Sequence, residues 1–170
     1  MKLLRTLTEE DIFGMPYSGE PVEIKLRQAV RIVLLNERDE VALVNVVSRD
    51  FHMLPGGGVD SGEEILSAVR RECLEETGYE PKILDEVGQV IELRPGQRRK
   101  QISDCFLARI AGGDGVPQWT DDERNKGCQV EWYPLEEAMR KITAGLPEEY
   151  PSKFTRVRDM LFLRRVSEML

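Results

Sequence analysis

The sequence predicts a mixed α/β domain in which helices cover a sheet. Three observations carry that expectation. Runs rich in Val, Ile and Leu dominate the early chain and read as strands; helical patterns dominate the end; and one helix-forming segment, Glu63–Thr77, is inserted between pairs of strand-like runs. The chain has 170 residues, enough for one domain with a sizeable core and too few for two comfortable ones. The expectation is therefore a single domain over 1–170, with an irregular arm over 1–23 and a terminal helix within 151–170. Apolar residues make up 41% and charged residues 32%, a balance that argues against long disorder.

In order along the chain, the arm to Glu23 contains Gly14, Pro16, Gly19 and Pro21, which interrupt regular structure. Thr8, followed by Glu9, Glu10 and Asp11, can cap one helical turn there. Ile24–Leu35 and Val41–Val47 read as strands joined by a hairpin-type turn at 36–39. The second run, Val-Ala-Leu-Val-Asn-Val-Val, is nearly continuously apolar, as a strand buried on both faces should be. Glu86–Leu93 and Gln101–Ile110 are further strands separated by Arg94-Pro95-Gly96, and Gln129–Tyr133 is a short one. Glu63–Thr77 ends at Gly78 in the manner of a helix C-terminus, and Ser61 with Glu64 matches a capping box that would start it at Gly62 or Glu63. Leu135–Thr143 is helical by the spacing of Leu135, Ala138, Met139 and Ile142. Lys153–Leu170 places Phe154, Val157 and Leu161 on one stripe.

Composition narrows the function classes. Lys plus Arg is 24 against 31 Asp plus Glu, a net charge of −7, which disfavours a broad nucleic-acid or anionic-membrane surface. No apolar run is long enough to cross a bilayer, and no secretory leader pattern follows Lys2 and Arg5. Cys73, Cys105 and Cys128 are far apart and without CxxC spacing, which suits a reduced cytoplasm and excludes a cysteine-rich zinc site. His52 is the single histidine, so chemistry needing a histidine pair is excluded.

The informative stretch is Leu54–Tyr79, LPGGGVDSGEEILSAVRRECLEETGY. Gly56, Gly57 and Gly58 let the backbone approach a ligand. On the helix that follows, Glu72, Glu75 and Glu76 fall on one face at spacings of three and four. Like charges there repel by a few tenths of a kcal/mol per pair in an isolated helix (roughly 0.2–0.5), and Arg71 alone does not balance them. A divalent cation would, and all-oxygen donors select Mg²⁺, Mn²⁺ or Ca²⁺. A merely solvated acidic face is the alternative; three consecutive glycines leading into the helix weigh against it.

Gly57-x5-Glu63-x7-Arg71-Glu72-Cys73-Leu74-Glu75-Glu76-Thr77-Gly78-Tyr79 resembles the Nudix box, Gx5Ex7REUxEExGU, where U is an aliphatic or bulky apolar residue. Cys73 stands at a U position as a small apolar substitute that should pack inward. The likeness extends over roughly 27–145: Trp132–Ala138 resembles the family's strand-to-helix segment, and Asp121-Asp122-Glu123 its acidic loop. The resemblance implies a Nudix-type α/β/α sandwich with a mixed sheet, and Mg²⁺-dependent hydrolysis (Mn²⁺ as a substitute) of a nucleoside diphosphate linked to another moiety. It further implies Glu72 and Glu76 as metal ligands, Glu75 as a further ligand or the base, and the Gly57 carbonyl as a metal ligand. Arg71 would orient the glutamates by salt bridging, and Glu63 would support the helix start. Glu123, in the long Gly/Asp-rich loop 111–127, is a candidate general base or an exposed loop glutamate.

Substrate class stays open between nucleotide sugars such as ADP-ribose and (deoxy)nucleoside triphosphates. Pro95, 16 residues beyond Tyr79, resembles the proline of ADP-ribose pyrophosphatases, while Leu54-Pro55-Gly56-Gly57-Gly58 resembles the MutT-like triphosphate group. A Pro95-Gly96 turn needs no substrate to explain it. Arg94, Arg98, Arg99 and Lys100 flank that turn as phosphate-reaching candidates or a solvated hairpin tip, and Arg27 and Arg31 are further phosphate candidates. Trp119 and Trp132 could stack on a base, with core packing the simpler role for Trp132; packing or a place at the substrate's edge suits His52 better than catalysis. A catalytically silent nucleotide-binding sensor is the competing class, though sensors usually lose box glutamates that are all present here. The partner expected is a small nucleotide, without nucleic acid or membrane. Homodimers are common in the family, and the arm and last helix could supply an interface.

Overall fold

The computed structural model of the chain describes residues 1–145 and 149–170 and builds them around one seven-stranded mixed sheet. β2 (Lys25–Leu35) lies parallel to β6 (Arg99–Gly113) from the Lys25/Arg99 pair to the Leu35/Arg109 pair. β5 (Tyr79–Arg94) is antiparallel to the other edge of β6, and β1 (Leu3–Leu7) adds to β5 in parallel. β3 (Val41–Val46) pairs antiparallel with β7 (Cys128–Tyr133) along its length and with β4 (Phe51–Met53) at its end. Between β2 and β3, the Asn36 side-chain oxygen accepts the N–H groups of Arg38 and Glu40 at 2.8 and 3.0 Å, and Asp39 takes the left-handed region at φ 59°. That is the hairpin turn expected from the residue types.

Side chains alternate across each strand, so a strand buried on both faces feeds two cores. Val30, Ile32, Leu34, Phe106 and Ala108 meet Ala68, Val69 and Cys73 of α2 (Ile65–Thr77) on one face. Val33, Leu35, Cys105 and Leu107 meet the opposite layer, made by α4 (Leu135–Thr143) and α5 (Tyr150–Met169) through Ala138, Ile142, Phe154, Phe162, Leu163 and Val166. Burying each large aliphatic or aromatic side chain contributes roughly 1.5–3 kcal/mol before entropy is counted. The result is the three-layer α/β/α arrangement expected from the sequence.

Several boundaries differ from the sequence reading. The arm is not irregular throughout: Leu3–Leu7 is β1, and Thr8 does cap α1 (Glu9–Phe13), its hydroxyl accepting from Asp11 N while Asp11 reaches back to Thr8 N. The fifth strand begins at Tyr79, well ahead of Glu86. Pro81 is tolerated there because, among the described residues, this half of β5 pairs only with β6, and a register shift at Glu80/Pro81 accommodates the missing N–H. The Ser61–Glu64 capping box does not form; Glu64 is the N-cap of α2 without a side-chain bond. Gly62, at φ 79°, is in the left-handed region, so the helix cannot extend back through it. The last helix starts at Tyr150, because Pro151 occupies its first turn, where no N–H is needed. On α5, Val157 and Leu161 sit at the margin of the core, and the buried stripe runs through Phe154, Phe162, Leu163 and Val166.

Candidate active site

The glycine loop is laid along β2 by backbone bonds. Ile32 N donates to Pro55 O at 3.0 Å, Val30 N to Gly57 O at 2.9 Å, and Val59 N to Gln28 O at 3.0 Å. Two glycines are required there for different reasons. Gly56 has φ 130°, and a β-carbon on it would lie 2.3 Å from Val30 O. A β-carbon on Gly57 would lie 2.4 and 2.5 Å from the two carboxylate oxygens of Glu72. Loop and helix therefore meet backbone to carboxylate.

The carboxylates of Glu72, Glu75 and Glu76 line one cavity of about 210 Å³ together with Gln118, Thr120 and Glu123. α2 buries its apolar face on the sheet through Ala68, Val69 and Cys73, which turns the glutamate face toward this cavity. Cys73 packs inward as expected, and burial pushes its thiol up to about 11, so it is inert as a thiolate. Glu72 and Glu76 are each 8% exposed. Burial pushes the Glu76 carboxyl up to about 8, even though its Oε2 accepts Gly56 N–H at 2.7 Å. Glu72 is also raised by burial, against the pull of Arg71.

Arg71 is the organiser of the site. Its Nε and one terminal nitrogen grip both oxygens of Glu63 at 2.9 Å each, and that same terminal nitrogen also donates to Gly58 O at 2.9 Å. Its other terminal nitrogen donates to Glu72 Oε1 at 2.8 Å and Glu75 Oε2 at 3.2 Å. The planar five-donor fork suits this work, where a lysine would not. The hydrogen bond from Arg71 is the main cause holding the Glu63 carboxyl down near about 2, helped by Asp60 N–H.

A divalent cation fits this donor set. Buried carboxylates held above their usual range, beside a carbonyl and a small polar cavity, are deprotonated readily by a hard cation. Among the described residues, no three His, Cys, Asp or Glu side chains already converge as a closed cage.

The remaining candidates are placed as follows. Glu123 does face the cavity, but its Oε2 takes the N–H and hydroxyl of Thr120 at 2.7 and 2.8 Å, capping α3 (Asp121–Asn125). Arg27 is half-buried and donates to Gln101 Oε1 at 2.8 Å. Arg31 is 7% exposed, bonds Val30 O at 2.6 Å, and burial brings it down to about 10. Arg94 is 3% exposed and paired with Glu92 at 2.5 Å, so it is no solvated hairpin tip. Arg98 is exposed at the end of the turn through Pro95–Gln97, and Glu9 pins that turn by accepting Gly96 N–H at 3.2 Å. Trp132 is half-buried, edge-on to Tyr79 with centroids 5.9 Å apart, and Trp119 packs against the small cluster of Val44, Val46, Phe51 and Cys128. His52 is buried and 2.9 Å from Glu131 Oε2. Burial opposes the charge on Glu131, but bonds from Tyr133, Asn45 and His52 bring it down to about 2.

A NUDIX domain model matches residues 25–153 of this sequence. The chain belongs to the Nudix family. Mouse (Mus musculus) 8-oxo-dGDP phosphatase NUDT18 is 33% identical over 127 residues, covering 69% of this chain but only 36% of that protein. The RNA pyrophosphohydrolase of Roseobacter denitrificans is 28% identical over 153 residues, covering 80% of this chain and 88% of that one. In fold, the chain resembles the MutT protein of Methanosarcina mazei, with a TM-score of 0.60 and 23% identity over 88% of this chain and 99% of that one. Among the described residues no helix is long and apolar enough to cross a membrane.

Sequence reasoning missed Gln118 and Thr120 on the cavity wall, and a buried polar layer of Glu92, Gln101, Arg158 and Asp159. A signal for the layer exists. Arg158 follows Phe154 and precedes Phe162 at helical spacing, and Asp159 stands four residues before Leu163, so both charges interrupt an apolar stripe.

Proposed function

We propose that the chain hydrolyses a phosphoanhydride bond in a nucleoside diphosphate linked to a further group, with Mg²⁺ as its metal and Mn²⁺ as a substitute. Nucleotide sugars such as ADP-ribose and (deoxy)nucleoside triphosphates are the substrate classes. The observation that carries this reading is the set of Glu72, Glu75, Glu76 and Glu123 on the wall of one cavity beside Gly57. The names of the relatives, which specify 8-oxo-dGDP and RNA, support a phosphate-bearing nucleotide. Three unpaired, buried cysteines suit a reducing compartment such as the cytoplasm.

Glu72, Glu75, Glu76 and the Gly57 carbonyl would hold the metal. When bound, it neutralises the phosphate oxygens that gain charge and makes a nearby water a better nucleophile. Arg71 keeps the glutamates of α2 in register with the glycine loop through its bonds to Glu72, Glu75 and Gly58. Glu123 is the group proposed to take the proton of the attacking water, through Oε1, since Oε2 serves the Thr120 cap. Arg27, half-buried beside Gly58, is the guanidinium proposed to orient a substrate phosphate.

The test is ³¹P NMR of ADP-ribose, dGTP and 8-oxo-dGTP incubated with the protein, with and without Mg²⁺. Cleavage between two phosphates of at least one of them, dependent on Mg²⁺ and lost in Glu76→Gln, is the expected result. A protein that binds one of them tightly and cleaves none, in Mg²⁺ or Mn²⁺, is a sensor and not a hydrolase.

A further inference from the structure

The C-terminal helix reaches the glycine loop through a run of buried polar contacts. Arg158 and Asp159 are 0% exposed and lie beyond residue 153, where the family model's match ends. Asp159 Oδ2 accepts the backbone N–H of Leu54, the residue before Pro55, at 2.9 Å. Its Oδ1 is 2.8 Å from Arg158 Nε and 2.7 Å from a terminal nitrogen of the same guanidinium. The other terminal nitrogen makes no hydrogen bond among the described residues and lies 3.6 Å from Glu92 Oε2; that oxygen accepts Gln101 Nε2 at 2.8 Å, and Glu92 Oε1 accepts Arg94 at 2.5 Å. Gln101 Oε1 in turn accepts Arg27 at 2.8 Å, and the Arg27 guanidinium packs against Gly58, 3.1 Å from where a β-carbon would stand. The contacts therefore leave the loop at Leu54 and return to it at Gly58.

Stability alone gives little reason for this arrangement. Replacing a buried ion pair by apolar side chains of similar volume is often neutral or stabilising. Every other large buried side chain on this face of α5, from Phe154 to Val166, is apolar. What the pair does supply is direction. A carboxylate on a rigid helix fixes one N–H at the loop's entrance, and the neighbouring arginine places a second cation beside the carboxylate that accepts Gln101.

We infer that Asp159 and Arg158 are positioning residues for the hydrolysis. Asp159 sets where the glycine loop begins, and so where Gly56 N–H meets Glu76 and where Gly57 faces Glu72. Arg158 fixes the Asp159 carboxylate and, with Arg94, balances the charge of Glu92, the acceptor of Gln101, which in turn accepts Arg27. The inference rests on the hydrolase reading and concerns residues outside the segment that the family model covers.

The experiment compares Asp159→Ala, Asp159→Asn and Arg158→Gln with Phe162→Ala, which removes packing from the same helix but takes part in none of these hydrogen bonds or ion pairs. Mn²⁺ affinity by calorimetry, Tm, and kcat and KM on ADP-ribose or dGTP are measured well below each Tm. Asp159→Ala is expected to weaken Mn²⁺ binding and lower kcat by about 10-fold or more, within the range for groups that orient metal ligands. Asp159→Asn, which keeps an acceptor for Leu54, recovers part of both and carries the test if the alanine variant does not fold. Arg158→Gln raises KM with less effect on Mn²⁺. Phe162→Ala lowers Tm and leaves Mn²⁺ affinity, kcat and KM within about two-fold. The inference is overturned if the Asp159 and Arg158 variants stay within that same margin, or if Phe162→Ala reproduces their losses. Wild-type protein that binds Mn²⁺ but cleaves nothing refutes the hydrolase reading alone, and the Mn²⁺ arm still decides this one.

Discussion

Gly57 and Glu72 are packed so closely that a β-carbon on the first would stand 2.4 Å from a carboxylate oxygen of the second. Gly57 does not have positive φ, so alanine is acceptable to its backbone. The clash falls on the carboxylate. Gly57→Ala should therefore fold, with near-unchanged circular dichroism, while displaced Glu72 lowers kcat by about 100-fold, the scale of a 1 Å misplacement. A variant with wild-type turnover would show that Glu72 need not sit where it does.

Removing Arg71 leaves Glu63, Glu72 and Glu75 without their shared cation. The guanidinium is 29% exposed, so the stability loss in Arg71→Ala should be moderate, about 1–3 kcal/mol in urea unfolding, as for charged hydrogen bonds. Metal affinity should fall by about 10–100-fold. Arg71→Lys should rescue little, because one ammonium cannot reproduce contacts to Glu63, Gly58, Glu72 and Glu75 together. Full rescue by lysine would reduce Arg71 to a simple charge.

Glu76 makes the metal-free protein sensitive to pH in an unusual direction. Burial holds its carboxyl up at about 8 in the folded state, against about 4.3 in an unfolded chain. Between those values the folded state keeps a proton that the unfolded state has released. Its contribution to stability is therefore present below about pH 4 and declines as pH rises to about 8, by up to about 1.4 kcal/mol per unit. Saturating Mg²⁺ should remove the decline, because the metal takes the proton's place. Urea melts at pH 5, 6.5 and 8, with EDTA or with Mg²⁺, check this; parallel curves in both conditions would contradict it.

Glu92 is fully buried between Arg94 and Arg158. Burial works against its charge, but the two guanidinium groups hold its carboxyl below the usual range. Glu92→Gln leaves two buried cations short of an anion and should cost about 3–5 kcal/mol, seen as a lower midpoint in guanidinium unfolding. A loss under about 1 kcal/mol would mean that water already reaches this layer.

Much of the site was legible before any coordinates, because it is local in sequence. The spacings that bring Glu72, Glu75 and Glu76 together are helical spacings, and Gly57 to Glu76 is one loop and one helix. The β2–β3 hairpin was equally plain from Asn36 and Asp39. Contacts between distant residues were not legible. Nothing near Leu3 announces a parallel partner at Gln89, since strand addition to an edge depends on what the remainder of the sheet leaves open. Arg94 reads as a phosphate-reaching or hairpin-tip cation until Glu92 and Phe154 enclose it. Glu123 stands out by its loop, but its Thr120 cap depends on a short helix, Asp121–Asn125, that the loop's composition does not announce.

The glutamate face of α2 is proposed to hold a divalent cation. Calorimetric titration of Mg²⁺ into wild-type protein and Glu76→Gln, each with a non-hydrolysable nucleotide diphosphate analogue present, tests it most directly. Saturable uptake by the wild type, with affinity lowered at least about 10-fold in the variant, is the expected result. No Mg²⁺ uptake by the wild type, or equal uptake by both proteins, would contradict it.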